Sequence, residues 1–280
     1  ARLGEAHVLL AQGDVLAFLD RREEALACYE QALGLYRAVG DRLGEANVLQ
    51  AQGDVLRQQG HYEAAHVQYQ AALERYRAIG ARQGEANAYL GLGRLALAQG
   101  QAEDARRWAE RAIALHEATG SRYDVALDCT TLAQACKAAG DIEGAMAAWR
   151  RAAETYRAIG LDGQAAEAMN VLGDLLQEAG RLEEALAAYA EAVALAPNDA
   201  MFRWDYAHQL ITLGRLDEAA AQLDAAEALE PDAPYLALRR AQLAQARGDR
   251  AEAVRWVQEA LRRRPDWDEA QQVLVGAQAN

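Results

Sequence analysis

The strongest constraint on this chain is that it copies itself. Gly60, Gly100, Gly140 and Gly180 stand 40 residues apart, and Gly214 and Gly248 follow at intervals of 34. Five residues after each comes an alanine (Ala65, Ala105, Ala145, Ala185, Ala219, Ala253), and seven further on another (Ala72, Ala112, Ala152, Ala192, Ala226, Ala260). Seven residues make two helical turns, so both alanines of a unit share one helix face. Before each glycine runs an apolar pattern of helical spacing, such as Leu49, Val55 and Leu56, or Met169, Leu172 and Leu176. Each unit therefore reads as helix A, a glycine turn and helix B. The glycine accepts the positive φ that ends a helix, and the alanines let two backbones approach closely. Self-similarity at this period means a stack of like units, each burying its apolar face against its neighbours.

The unit boundaries fall at about 1–41, 42–81, 82–121, 122–161, 162–199, 200–233 and 234–267, with a capping helix over 268–279. Asp20 replaces the turn glycine of the first unit. Gly40, Gly80, Gly120 and Gly160 close the long units, whereas Pro197, Pro231 and Pro265 clip the last three short, because proline cannot extend a helix. A solenoid gains length without a second core, so residues 1–280 are expected to form one domain. The RLGE of residues 2–5 recurs at 42–45 and the chain opens in mid-pattern, which leads us to expect a fragment of a larger protein.

Met169, Leu172, Gly173, Leu176, Gly180, Ala185, Tyr189, Ala192 and Pro197 together carry the pattern of the tetratricopeptide repeat proteins. The chain resembles that family over essentially its whole length. Departures are Gln12 and Gln52 where leucine is usual, and Ala133, Ala207 and Ala241 for the helix A glycine. The resemblance implies an all-α, right-handed superhelical solenoid of about seven helix-turn-helix repeats plus a C-terminal capping helix. The 40-residue units and their Gly40–Ala46 junction are similar to a long-helix subclass. That subclass includes the Pins/LGN spindle adaptors and bacterial regulators that append such arrays to a nucleotide-switch ATPase or a caspase-like CHAT protease.

Acidic side chains outnumber basic ones, 42 to 29, for a net charge of −13. That balance argues against nucleic acid, whose affinity comes from basic patches that release counterions. The densest basic run, Arg262, Arg263 and Arg264, reads as the solvated end of a helix with its cations at the negative dipole end. Cys28, Cys129 and Cys136 fit neither a disulfide framework nor a metal spacing. Cys129 and Cys136 lie about 10 Å apart along one helix, beyond disulfide reach, so the cysteines read as small core residues in a reducing compartment. No apolar run approaches a membrane span and no signal peptide opens the sequence, so a cytoplasmic location is expected. Lys137 is the single lysine beside 28 arginines, which hints at a GC-rich bacterial source.

No local spacing assembles a catalyst. Gly91-Leu92-Gly93-Arg94-Leu95-Ala96 imitates a dinucleotide-binding fingerprint, but that motif needs a preceding strand and a loop opening a helix. Gly93 is instead the helix A glycine of repeat three. His7, His61, His66, His116 and His208 fall at unrelated repeat positions, and no metal-binding or Ser/His/Asp grouping arises from them. We expect no enzyme, no cofactor and no metal.

At 100° per residue, the core positions 4, 7, 8 and 11 of helix A lie opposite positions 2, 5, 6, 9, 12 and 13. The resemblance implies that the second set lines a concave groove. Candidate partner-binding residues are Asp14 and Phe18 in repeat one, Asn47, Asp54 and Arg57 in repeat two, and Asn87, Leu90 and Arg94 in repeat three. Lys137 stands for repeat four, Asn170 and Asp174 for repeat five, Met201, Trp204, His208 and Ile211 for repeat six, and Tyr235 and Arg239 for repeat seven. Chaperone-binding members of the family need asparagines and cations at position 9 to grip a C-terminal carboxylate. Asp14, Asp54 and Asp174 occupy that position here and would repel one. Trp204 reads equally as a groove anchor or as an indole covered by Tyr235 and Leu238. As an anchor beside Asp174, Glu178 and Asp205, it favours a segment with an apolar anchor flanked by Arg or Lys.

The expected function is a non-catalytic protein–protein interaction scaffold that binds a partner protein segment in its concave groove, within a larger bacterial regulatory protein. The alternative is a sensor domain that binds a small peptide or metabolite and switches an attached effector, an NTPase or a caspase-like protease. Neither nucleic acid nor a membrane is an expected partner. Leu3 and Val8, on the first helix, are expected to be bare and to give weak self-association through the N-terminal end.

Overall fold

The computed structural model describes residues 2–279, so Ala1 and Asn280, the ends of the expected array, lie outside the described residues. Among the described residues the chain forms fifteen α-helices and no strand. They are α1 (Arg2–Phe18), α2 (Arg22–Val39), α3 (Arg42–Gln58), α4 (Tyr62–Ala78), α5 (Arg82–Ala98), α6 (Ala102–Thr119), α7 (Arg122–Ala138) and α8 (Ile142–Ala158), then α9 (Asp162–Glu178), α10 (Leu182–Leu195), α11 (Ala200–Thr212), α12 (Leu216–Leu229), α13 (Pro234–Ala246), α14 (Arg250–Arg263) and α15 (Asp268–Ala279). Seven A/B pairs and a last single helix make an all-α helix-pair solenoid. The helices break where the sequence places turn residues. Gly60 has φ 78°, and Asp20, which replaces glycine in repeat one, is held at φ 61°, a left-handed conformation that aspartate tolerates better than most residues. Side-chain caps start several helices: Asp41 accepts from the Leu43 and Gly44 amides, and Asp249 from that of Glu252.

The molecule divides into two compact units, Ala1–Thr155 and Tyr156–Asn280, with the division inside α8. In the first, three helices A pack on their own helix B and on the next helix A: α1 on α2 and α3, α3 on α4 and α5, α5 on α6 and α7. The second repeats this with α9 on α10 and α11, α11 on α12 and α13, and α13 on α14 and α15. The periodic alanines sit fully buried at the A/B contacts, among them Ala65, Ala72, Ala105, Ala112, Ala185 and Ala192. Cys28, Cys129 and Cys136 are buried free thiols.

The helix A glycine is required where an aromatic ring of helix B lies against it. A Cβ at Gly53 would come within 2.8 Å of the Tyr69 ring, and one at Gly173 within 2.7 Å of Tyr189. At Gly93 the facing residue is Ala109, and the nearest atoms lie 3.5 Å away.

α1 differs from every later long helix A. Val48 and Val55 of α3, beneath α2, are 0% and 2% exposed, whereas their repeat equivalents Val8 and Val15 of α1 are 67% and 58% exposed. Leu3 and Phe18 are exposed on the same helix, and Leu19 in the turn that follows it.

Candidate functional site

The first unit holds a groove of about 560 Å³ lined by Asp14, Leu43, Asn47, Gln50, Ala51, Asp54, Tyr76, Ala81, Gln83, Gly84 and Asn87. Asp14, Asn47, Asp54 and Asn87 are thus brought together from three successive helices A. Helix B side chains reach through the wall to fix these polar groups. Tyr29 donates its hydroxyl to Asp14 Oδ1 across 2.8 Å, and Tyr69 donates to Asp54 Oδ1 across 2.7 Å. Burial raises the Asp54 carboxyl above the ordinary carboxylate range, opposed by the Tyr69 hydrogen bond and by the charges of Arg57 and Arg94. The hydroxyl of Tyr76 lies 2.8 Å from Asn47 Oδ1, to which it donates, and 3.1 Å from Gln50 Oε1. With its oxygen held, Asn47 keeps its two N–H groups for the groove.

Asn87 is fixed by a different partner. Its Oδ1 is 3.1 Å from His116 Nε2, and His116 Nδ1 is 2.6 Å from Asp128 Oδ2. His116 and Asp128 are both 0% exposed. His116 was placed among unrelated histidines by the sequence, yet it stands 40 residues from both Tyr76 and Tyr156, in the slot that Tyr36 also fills. Alignment at the repeat period is the signal that finds it.

The remaining expected residues are distributed differently. Arg57 and Arg94 are half-buried, Lys137 and Phe18 are exposed, and Leu90 is buried in the core of the first unit. In the second unit, Tyr189 donates to Asp174 Oδ1 across 2.7 Å, and Asn170 Nδ2 donates to Asp205 Oδ2 across 3.0 Å. Arg239 Nη1 donates to Glu269 Oε1 at 2.8 Å and Gln242 Oε1 at 3.0 Å. Asn170 and Arg239 are both buried. Trp204 is buried too, its indole stacked on Tyr235 at 5.9 Å, and Tyr235 in turn meets the edge of Trp267 at 4.8 Å. Met201 and Tyr235 keep exposed surface, whereas His208 and Ile211 are half-buried. Burial and the charge of Arg239 push His208 down to about 4. At the end of α14, Arg262 and Arg263 both donate to Glu259, and the Arg264 guanidinium lies over Trp267.

No group of three or more His, Cys, Asp or Glu among the described residues could hold a metal ion. Among the described residues, no helix is long and apolar enough to cross a membrane.

Four tetratricopeptide repeat models match the sequence. One covers residues 4–78 and again 123–198, and the others cover 51–121, 176–241 and 234–259. The chain belongs to the tetratricopeptide repeat family. Its fold is similar to that of aspartyl phosphate phosphatase F from Bacillus subtilis, with a TM-score of 0.65 and 16% identity over 96% of this chain and 72% of that one. PilF of Pseudomonas aeruginosa gives 0.60 and 18% over 82% and 97% of the two chains. YrrB, described as a TPR protein with an unusual peptide-binding site, gives 0.52 and 20% over 70% and 95%. At these identities the likeness is one of fold. No curated protein matches the chain in sequence.

Proposed function

We propose that this chain is a non-catalytic protein-interaction scaffold that holds an extended segment of a partner protein against the inner face of its first unit. The observation that carries this is the pair Asn47 and Asn87, one repeat apart on the groove wall, each with its oxygen engaged by a helix B side chain of its own repeat. Fixed N–H donors at a regular spacing suit the carbonyl acceptors of an extended backbone. YrrB, of the same fold, is described with a peptide-binding site, the kind of ligand proposed here.

We further propose residues 1–280 as one tetratricopeptide array of the long-repeat subclass, cytoplasmic, and part of a larger bacterial regulatory protein with a fused effector domain. The bared face of α1 would give weak self-association. A sensor for a small peptide or metabolite is the second reading, favoured by the groove's volume of about 560 Å³, which is that of a small-molecule cleft.

The test is to select linear peptides from a random library against the purified chain and map the best binder by NMR. Shifts confined to Asn47, Gln50, Asn87 and their neighbours support the scaffold. Shifts confined to the outer helices B contradict it. Binding retained when the peptide is cut to two or three residues favours the sensor.

A further inference from the structure

His116 is a departure from the repeat that comes with a second one. Where units two, three and five carry Val48, Ala88 and Ala168, unit four carries Asp128, and this buried carboxylate faces the buried imidazole. An apolar site has become acidic at the same junction where a tyrosine has become histidine.

We propose that His116 sets which hydrogen-bonding face Asn87 shows to the groove, donor or acceptor, according to the number of protons held by the His116–Asp128 pair. The arrangement in the structure needs two protons. One lies in the 2.6 Å bridge between Nδ1 and Oδ2, on either atom, and the other sits on Nε2 and is donated to Asn87 Oδ1. The Asn87 amide is then locked with its N–H groups toward the groove. Removal of one proton leaves the bridge occupied, because two bare lone pairs at that distance inside the protein would repel. Nε2 becomes an acceptor, and the Asn87 amide turns over to donate Nδ2–H to it, which presents Oδ1 to the groove. A partner carbonyl is matched by the first state and a partner N–H by the second.

The surroundings favour the two-proton state, because burial and a neighbouring carboxylate both disfavour the negative charge that loss of a proton leaves behind, so the change is placed on the basic side. α6 packs on α5 and α7. From α7, Asp124 lies 3.9 Å from Nε2, beside Asp128. From α5, Asn87 faces the ring, and the charge of Arg94 reaches Asp128. Glu117, next along α6, is turned out and paired with Arg151. Burial raises the Asp128 carboxyl, with the His116 hydrogen bond opposing it. The equivalent junction one repeat earlier has no such freedom. The Tyr76 hydroxyl keeps its proton until the phenol ionises, and burial pushes that ionisation further up, so its bond to Asn47 does not change with pH.

The inference rests on the groove being the binding surface, but its test needs no ligand, so the two fail separately. In the ¹⁵N-labelled full chain, the His116 ring nitrogens and the Asn87 side-chain NH₂ are followed by NMR from about pH 5 to about pH 10, the NH₂ being assigned with N87D. The expected result is loss of the Nε2 proton with rising pH and an Asn87 NH₂ shift that tracks it. In H116Y, which restores the residue found at Tyr36, Tyr76 and Tyr156, that shift should vanish. The proposal is overturned if Asn87 does not move while Nε2 titrates, or if Nε2 keeps one state throughout. It is also overturned if H116Y shows the same shift.

Discussion

Tyr69 donates its hydroxyl to Asp54 Oδ1 across 2.7 Å, from helix B to helix A of a single repeat. Tyr29 with Asp14 and Tyr189 with Asp174 do the same at an identical separation of 15 residues. The three aspartates that seemed to arm the groove with charge are therefore tied to the core. Tyr69→Phe removes a donor to a buried carboxyl, and a bond of that kind contributes roughly 1.5–3 kcal/mol. Urea denaturation should show a loss of about that size, and an unchanged midpoint would mean that the bond does not form in solution.

The glycines beside these tyrosines should respond unequally. Gly53→Ala drives a Cβ to 2.8 Å from the Tyr69 ring, so overpacking of about 1–3 kcal/mol is expected. Gly93→Ala meets nothing closer than 3.5 Å, and in a helix interior it should stabilise by roughly 0.5–1 kcal/mol. Thermal melts that rank the two variants the other way would show that the helix faces are misassigned.

Much of this was legible in the sequence. The turn residues, the seven pairs and the last helix follow from the 40- and 34-residue periods, because solenoid units repeat their contacts as well as their residues. The Asp–Tyr bond was legible too: Asp14, Asp54 and Asp174 have Tyr29, Tyr69 and Tyr189 fifteen residues on, while Arg94, Gln134, His208 and Gln242 have Ala109, Trp149, Leu223 and Val257. The burial of Leu90, Asn170 and Arg239 was not, and that of Trp204 was one of two readings left open. Helical phase gives a residue's direction, but whether that direction ends in solvent depends on how closely the next helix A approaches, as Tyr235 does over Trp204. Asp128 was hidden for a related reason, since its position reads as apolar core and only the facing His116 makes an acid tolerable there.

His208 should make the protein acid-sensitive. Its folded value is pushed down to about 4 by burial and by Arg239, while the unfolded side chain titrates near 6.5, as a rough reference. Between those two values the unfolded chain binds more protons, so stability falls as pH drops from the upper to the lower. His208→Gln should remove roughly 2–3 kcal/mol of that decline. Denaturation series at several pH values check this, and parallel curves for the variant and the parent would refute it.

Equivalent valines in α1 and α3 should also diverge. Val48→Glu places a carboxylate beneath α2 and should cost several kcal/mol. Val8→Glu, at the same repeat position on the bare face of α1, should change stability by no more than about 0.5 kcal/mol and should weaken any self-association seen by sedimentation. Equal melting losses for both would show that something covers α1.

The central claim is that the polar inner face of the first unit binds a partner segment. Isothermal titration of a library-selected peptide into the parent, into Asn47→Ala/Asn87→Ala and into Arg107→Ala, an exposed change on α6, tests it most directly. Loss of two donor groups should weaken binding by at least about tenfold when measured well below the melting temperature of the variant, which the loss of partners for Tyr76 and His116 lowers, while Arg107→Ala binds as the parent does. Undiminished affinity in Asn47→Ala/Asn87→Ala would place the site elsewhere and contradict the account.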